Sequence, residues 1–180
     1  MKRIAPAKVL VASLGNDLSE LAHADWMVYS KYYPHATLQE SASLNQFLIA
    51  LTEGFHFIHL LCHISETGVL SWEGEKITCS ELIDKMHSRG TLGLWIANNN
   101  TNTAYVKGFR NVTGKLNLVM TLNRGSIFSN FLSDLLREMA AGANMPKAWS
   151  KLVPQAPTSS STICPSCIFV AGAPETVYVP

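Results

Sequence analysis

The residues best suited to chemistry lie close together in the first half of the chain, where histidines and a cysteine accompany one short apolar segment. His59, Cys62 and His63 stand in or just after residues 55–61, a nearly continuous apolar run. Such a run is typical of a strand covered on both faces of a parallel sheet. The His63 ring would then emerge at the rim of that sheet, where an imidazole can exchange protons near neutral pH and act as a general base.

The spacing of the histidines also bears on metal binding. In a strand, His59 and His63 would stand roughly 13 Å apart, which is too far for them to share one ion. If residues 55–61 formed a helix instead, His56, His59 and His63 would share one face and could bind a metal. We expect the strand and therefore no metal site at these histidines.

The cysteines are the other candidates for chemistry. Cys62 is next to His63, but neighbouring strand residues point to opposite faces, so we expect its thiol to be buried and to face away from the imidazole. Cys79 falls at the start of a predicted helix, whose dipole can lower a thiol pKa, yet it lies away from the rim. Cys164 and Cys167 form a single C-x-x-C, and zinc would need two further ligands. The sequence therefore predicts no metal and no cofactor.

The elements that position these residues alternate between strand and helix patterns along the chain. Three capping-box-like pairs mark helix starts: Asp17 with Glu20, Ser43 with Gln46, and Thr78 with Glu81. The predicted strands cover residues 9–13, 36–39, 55–61, 92–97, 116–122 and 168–171, with a hairpin at 69–72 and 75–78. The predicted helices cover residues 17–34, 43–54, 79–87, 104–109, 127–139 and 145–152, and residues 154–165 are predicted to form a loop.

This alternation predicts an α/β fold in one domain over residues 1–180. Its mostly parallel central sheet would carry helices on both faces, with the small hairpin as an insertion. Functional groups in such sheets gather at the carboxyl ends of the strands, at a topological switch point. Those ends carry residues 15–17, His63 and residues 98–100, and the function is expected there.

The composition limits the classes of partner that this protein is expected to bind. With 14 basic and 13 acidic residues, the formal charge of +1 gives no field to attract nucleic acid or an anionic membrane surface. Charged residues make up only 15% of the chain, so we expect a face hidden by a protein or peptide partner, or by self-association into a homo-oligomer. No apolar run approaches a membrane helix or a secretion signal, and we expect a cytoplasmic protein.

On these residues the chain resembles the CHAT domain, the caspase-like cysteine peptidase domain related to separases. The resemblance covers residues 9–16 with the helix after them, 57–63, 70–74, 94–101 and 127–142. In that family one strand ends in a His-Gly pair that supplies the catalytic base. The next main strand ends in an Ala-Cys pair whose cysteine attacks the peptide carbonyl. His63 matches the base, and Asn99 stands where the nucleophile would be, or Asn98 if the register shifts by one.

The resemblance therefore implies a caspase-like three-layer fold with a degraded site. A carboxamide at Asn99 has neither a thiolate nor an ionisable proton with which to form an acyl-enzyme. Ile64 also replaces the glycine that follows the base. We expect a pseudo-peptidase that binds a protein or peptide partner in the inherited cleft.

Two alternatives stay open. In the first, the chain is an active cysteine peptidase in which Cys62 or Cys79 is a repositioned nucleophile for His63. In the second, it is a flavodoxin-like or receiver-like ligand-binding module that uses Asn16 and Asp17. A receiver would need several carboxylates for magnesium, and of these the first strand end supplies only Asp17.

Overall fold

The structure is a computed structural model that describes residues 2–40, 43–110, 112, 114–122, 124–152, 169–170, 172–173 and 175–180. The predicted loop at 154–165 and the Cys164 and Cys167 pair lie outside these residues. The helices are α1 Ser19–Tyr32, α2 Leu44–Ala50, α3 Cys79–Ser88, α4 Asn102–Phe109, α5 Phe128–Ala140 and α6 Met145–Leu152. The strands are β1 Arg3–Ile4, β2 Val9–Ser13, β3 Thr37–Gln39, β4 Phe57–Leu61, β5 Val69–Trp72, β6 Glu75–Thr78, β7 Gly93–Ala97, β8 Leu118–Leu122, β9 Phe169–Val170 and β10 Val177–Tyr178.

The central sheet has the strand order β3-β2-β4-β7-β8-β9. Neighbouring strands are parallel, apart from β9, which pairs antiparallel with β8. The strands β2, β4, β7 and β8 are buried along their whole length, as expected of strands covered on both faces. The predicted α/β fold with a mostly parallel sheet is confirmed.

Helices cover both faces of the sheet and form the outer layers of a three-layer sandwich. Successive strand residues point to opposite faces, so Ile58 and Leu60 pack with the buried residues of α2, α3 and α4. Phe57 and Trp95 pack on the other face with the buried residues of α1, α5 and α6. The alternation along β4 therefore fixes the sheet face to which each of its side chains points. His63 follows the carboxyl end of this strand.

The hairpin of β5 and β6 stands apart from the main sheet and turns at Glu73 and Gly74, which both adopt positive φ. Next to the hairpin, Gly68 packs closely against Gly108 of α4. A Cβ added at Gly68 would lie 2.9 Å from the Gly108 Cα. A capping box at Thr78 and Glu81 then starts α3 directly from the last hairpin strand.

The start of α1 differs from the sequence prediction. Residues Asn16–Leu18 form a 3-10 turn, and α1 begins at Ser19 without a side-chain cap. The sequence predicts that Asp17 caps this helix with Glu20 as its partner. Its carboxylate instead binds His63 across the sheet, which removes it from the capping role.

Candidate functional site

The candidate site lies where β2, β4 and β7 end side by side. The chain leaves β2 towards β3 on one side and leaves β4 towards β7 on the other, so the strand order reverses between β2 and β4. Open α/β sheets bind ligands at this kind of switch point. Asp17 follows β2 and His63 follows β4, so the two residues stand on either side of it.

His63 is held by Asp17 on one side of its ring. Its Nε2 lies 2.7 Å from the Asp17 Oδ2, and both side chains are more than half exposed, at 51% and 64%. An exposed pair of this kind contributes little to stability because water screens it. Its main effect is on the ring, because a carboxylate acceptor favours the tautomer with the proton on Nε2 and leaves the Nδ1 lone pair free.

Asn98 faces that lone pair. Its Nδ2 lies 3.4 Å from the His63 Nδ1 and donates to the Cys62 carbonyl at 3.1 Å, so its two amide hydrogens are directed at two acceptors. The reversed amide would place an oxygen against the Cys62 carbonyl oxygen, so the hydrogen bonds support this orientation. The backbone carbonyl of Asn98 in turn accepts from the Tyr105 hydroxyl. The group opposite the imidazole is therefore a buried, fixed donor with no proton that His63 could remove.

The two asparagines that follow have other partners. Asn99 pairs with the backbone of Arg124, accepting from its N–H at 2.7 Å and donating to its carbonyl at 3.2 Å. Asn100 accepts from the Ile64 N–H at 2.7 Å and donates to the Cys62 carbonyl at 3.1 Å. The structure thus brings Asn98 to His63, while Asn99 fixes the loop after β8 and Asn100 fixes the loop after β4.

The two described thiols are buried in the core. Cys62 and Cys79 belong to the same cluster of buried residues, on the face covered by α2, α3 and α4. Burial raises the pKa of Cys62 well above its ordinary value, and the neighbouring Cys79 adds to the effect. Burial also raises the pKa of Cys79 to about 12. Neither thiol is a ready nucleophile, and Cys62 is a buried core side chain as the strand alternation predicts.

A second polar cluster, which we call the buried triad, consists of His59, Asp25 and Arg124 and was not predicted. The His59 Nε2 lies 2.8 Å from the Asp25 Oδ2, and Arg124 binds the same carboxylate with both terminal nitrogens, at 2.5 Å and 3.0 Å. Tyr29 closes the other end, with its hydroxyl 3.2 Å from the His59 Nδ1. The sequence does contain a sign of this role, because Asp25 stands at helical spacing with the residues that α1 buries.

The buried triad connects the rim to the core. Burial alone would raise the pKa of Asp25, but hydrogen bonds and charge attraction from His59 and Arg124 outweigh it and lower that pKa. The Arg124 guanidinium also lies over the Phe128 ring, 4.1 Å from its centroid. Since Asn99 binds the backbone of the same arginine, the rim loop after β7 is anchored through Arg124 to α1 and β4.

The histidines do not converge on a metal. Residues 57–61 form strand β4, so the helical alternative for His56, His59 and His63 is wrong. His59 is buried against Asp25, and the His56 Nδ1 accepts from the Lys8 N–H at 3.0 Å. Among the residues that the structure describes, no group of three or more His, Cys, Asp or Glu side chains could hold an ion.

Comparisons with known proteins leave the site to be interpreted from its geometry. No protein-family model matches the chain, and no curated protein matches its sequence. Within the described ranges, no helix combines the length and the apolar character needed to cross a membrane.

Proposed function

We propose that this chain is a caspase-like domain that has lost peptidase chemistry and binds a protein or peptide partner at the rim around His63. The observation that carries the proposal is the Asn98 amide opposite the imidazole. Ala97 ends β7 and Asn98 follows it, in the position that the CHAT resemblance gives to the Ala-Cys pair when its register shifts by one, next to the strand that His63 follows. An amide there binds and orients but cannot attack a carbonyl.

The rim is suited to holding an extended segment of another chain. Asn16, Asp17 and His63 are exposed along it, and they offer hydrogen-bonding groups of both kinds at the switch point. Asn16 donates to the Glu73 carboxylate and Asp17 binds His63, so each of these side chains has a defined partner before another chain binds. A preorganised polar rim of this kind loses little freedom when a partner binds.

The first experiment measures peptidase activity. Reporter peptides that end in arginine or lysine are incubated with the wild-type protein and with His63→Ala. We expect no turnover by either protein, because neither Cys62 nor Cys79 can supply a thiolate to His63. Cleavage that depends on His63 would overturn the proposal and favour the alternative of an active cysteine peptidase.

The second experiment restores a thiol to the site. In Asn98→Cys the new sulfur faces the His63 Nδ1, which can accept its proton, so we expect iodoacetamide to label it about tenfold faster than in Asn98→Cys with His63→Ala. Asn99→Cys is the matched control, since that side chain points to the Arg124 backbone and gains nothing from His63. Equal rates in all three variants, with unchanged melting temperatures, would show that position 98 is not the lost nucleophile.

The flavodoxin-like or receiver-like alternative has one observation in its favour. The first five main strands have the order 2-1-3-4-5, which such proteins share. Against a receiver site, the Asp17 carboxylate is bound by His63, and the structure groups no further carboxylates with it in the described residues. A magnesium titration separates the two proposals: a shift of the melting temperature that Asp17→Asn abolishes would favour the receiver.

A further inference from the structure

A groove lies between α2 and α3, on the sheet face opposite α1. It has a volume of about 340 Å³ and is lined by residues that include Leu48, Ile49, Lys85, Ser88 and Arg89. Helices that join parallel strands run back against them, so the last turns of α2 and α3 lie towards the amino ends of the strands. The groove is therefore at the opposite edge of the sheet from His63 and is independent of the proposed function.

The α2 side of the groove offers an apolar anchor. Ile49 is 59% exposed, the largest exposed fraction among the large apolar side chains that the structure describes. Leu48 lies next to it and is half-buried against the core. An exposed apolar side chain on a concave surface gives a partner an apolar contact.

The side of the groove formed by the end of α3 is positively charged. Lys85 and Arg89 are both exposed, and within the described part of the chain neither forms an ion pair. Of the acidic residues of α3, Asp84 binds Lys115, while Glu81 accepts from Thr78 and also attracts Lys85 through its charge. None of the described residues that line the groove is acidic, so Lys85 and Arg89 give its lining a positive charge.

We propose that this groove binds an acidic peptide segment of a partner protein, in which an apolar side chain packs on Ile49 and flanking carboxylates pair with Lys85 and Arg89. The charge pattern selects this occupant, because an acidic segment brings to Lys85 and Arg89 the carboxylates that the lining of the groove lacks. A basic or neutral segment would leave the cations unpaired or repelled. The apolar contact provides affinity, and the carboxylates provide register and specificity.

The test selects peptides from a random dodecapeptide phage library on the full chain, and the affinities of the selected peptides are measured by fluorescence polarisation. We expect the enriched peptides to carry an apolar residue flanked by aspartate or glutamate. Their binding should weaken about tenfold or more in the double variant Lys85→Glu with Arg89→Glu, because two attractions become repulsions. Ile49→Ser, which changes a side chain already in solvent on the other helix, should weaken binding as well.

The matched control is Lys31→Glu with Lys107→Glu. This double variant makes the same change of net charge at two exposed lysines outside the groove, and we expect it to alter affinity by no more than about twofold. Selected peptides whose binding depends on His63 are assigned to the rim and bear on the proposed function, so failure of this proposal is distinguishable from failure of the proposed function. The absence of a consensus, a basic or neutral consensus, or peptides that bind the groove variants as tightly as the wild type would overturn it.

Discussion

Arg124 binds Asp25 with both terminal nitrogens of its guanidinium, although the two residues are 99 positions apart in the chain. His59 binds the same carboxylate, and its side chain is fully buried. The pair joins the loop after β8 to α1, on the face of the sheet that α1 covers. Because Asn99 holds the backbone of Arg124, this buried charge pair also fixes the rim beside the candidate site.

The first prediction concerns the strength of that pair. Arg124→Leu should lower the free energy of unfolding by about 3–5 kcal/mol, because it leaves the Asp25 carboxylate buried without its cation. Arg137→Leu is the matched control: its ion pair with Asp134 is exposed, at 58% and 43%, and should be worth about 1 kcal/mol or less. Urea unfolding of both variants measures the difference, and equal losses would contradict a structural role for the buried triad.

The second prediction concerns the stability of the fold at acidic pH. The pKa of Asp25 is lowered in the folded state from an ordinary value of 3.8, so its charge stabilises the fold above that value. This contribution is lost as the pH falls through the lowered folded pKa. The difference in unfolding free energy between the wild type and Asp25→Asn should therefore shrink as the pH falls below about 3.8. A difference that grows in acid would show that folding raises the pKa of Asp25 and does not lower it.

The third prediction concerns the thiols. Burial raises the pKa of Cys62 and, to about 12, the pKa of Cys79, so neither should be alkylated in the folded protein at mildly alkaline pH. Both should react once the chain is unfolded in urea. Peptide mapping by mass spectrometry distinguishes these sites from Cys164 and Cys167. Rapid native labelling of Cys62 would revive the peptidase alternative.

The fourth prediction concerns the docking of the hairpin. Gly68 and Gly90 both adopt positive φ, but an added Cβ at Gly68 would lie 2.9 Å from the Gly108 backbone, whereas at Gly90 it would meet nothing within 4 Å. Gly90→Ala should cost about 1–2 kcal/mol of unfolding free energy through backbone strain alone. Gly68→Ala should cost about 1–3 kcal/mol more, because the hairpin must also move away from α4. If thermal unfolding shows equal losses of unfolding free energy in the two variants, the close contact between Gly68 and Gly108 does not contribute to stability.

Local patterns accounted for most of the elements. The hairpin strands β5 and β6 have the predicted bounds, and the capping boxes at Ser43 and Thr78 are both formed. These features depend on residues within a few positions of one another. The terminal pair of β1 and β10 was not predicted, because two-residue strands leave no periodic pattern and their pairing joins the ends of the chain.

The features of the candidate site also fall into two groups, those that local sequence predicts and those that depend on the whole fold. The sequence by itself determined that His63 follows a buried strand and that asparagines, not a cysteine, follow the next main strand, because both statements need only local pattern and residue type. The tertiary structure decided that Asp17 binds His63, that Asn98 faces its ring, and that Arg124 reaches Asp25. The physical reason is that these contacts depend on strand order and on the direction of each side chain at a strand end, which are set only when the whole sheet has assembled.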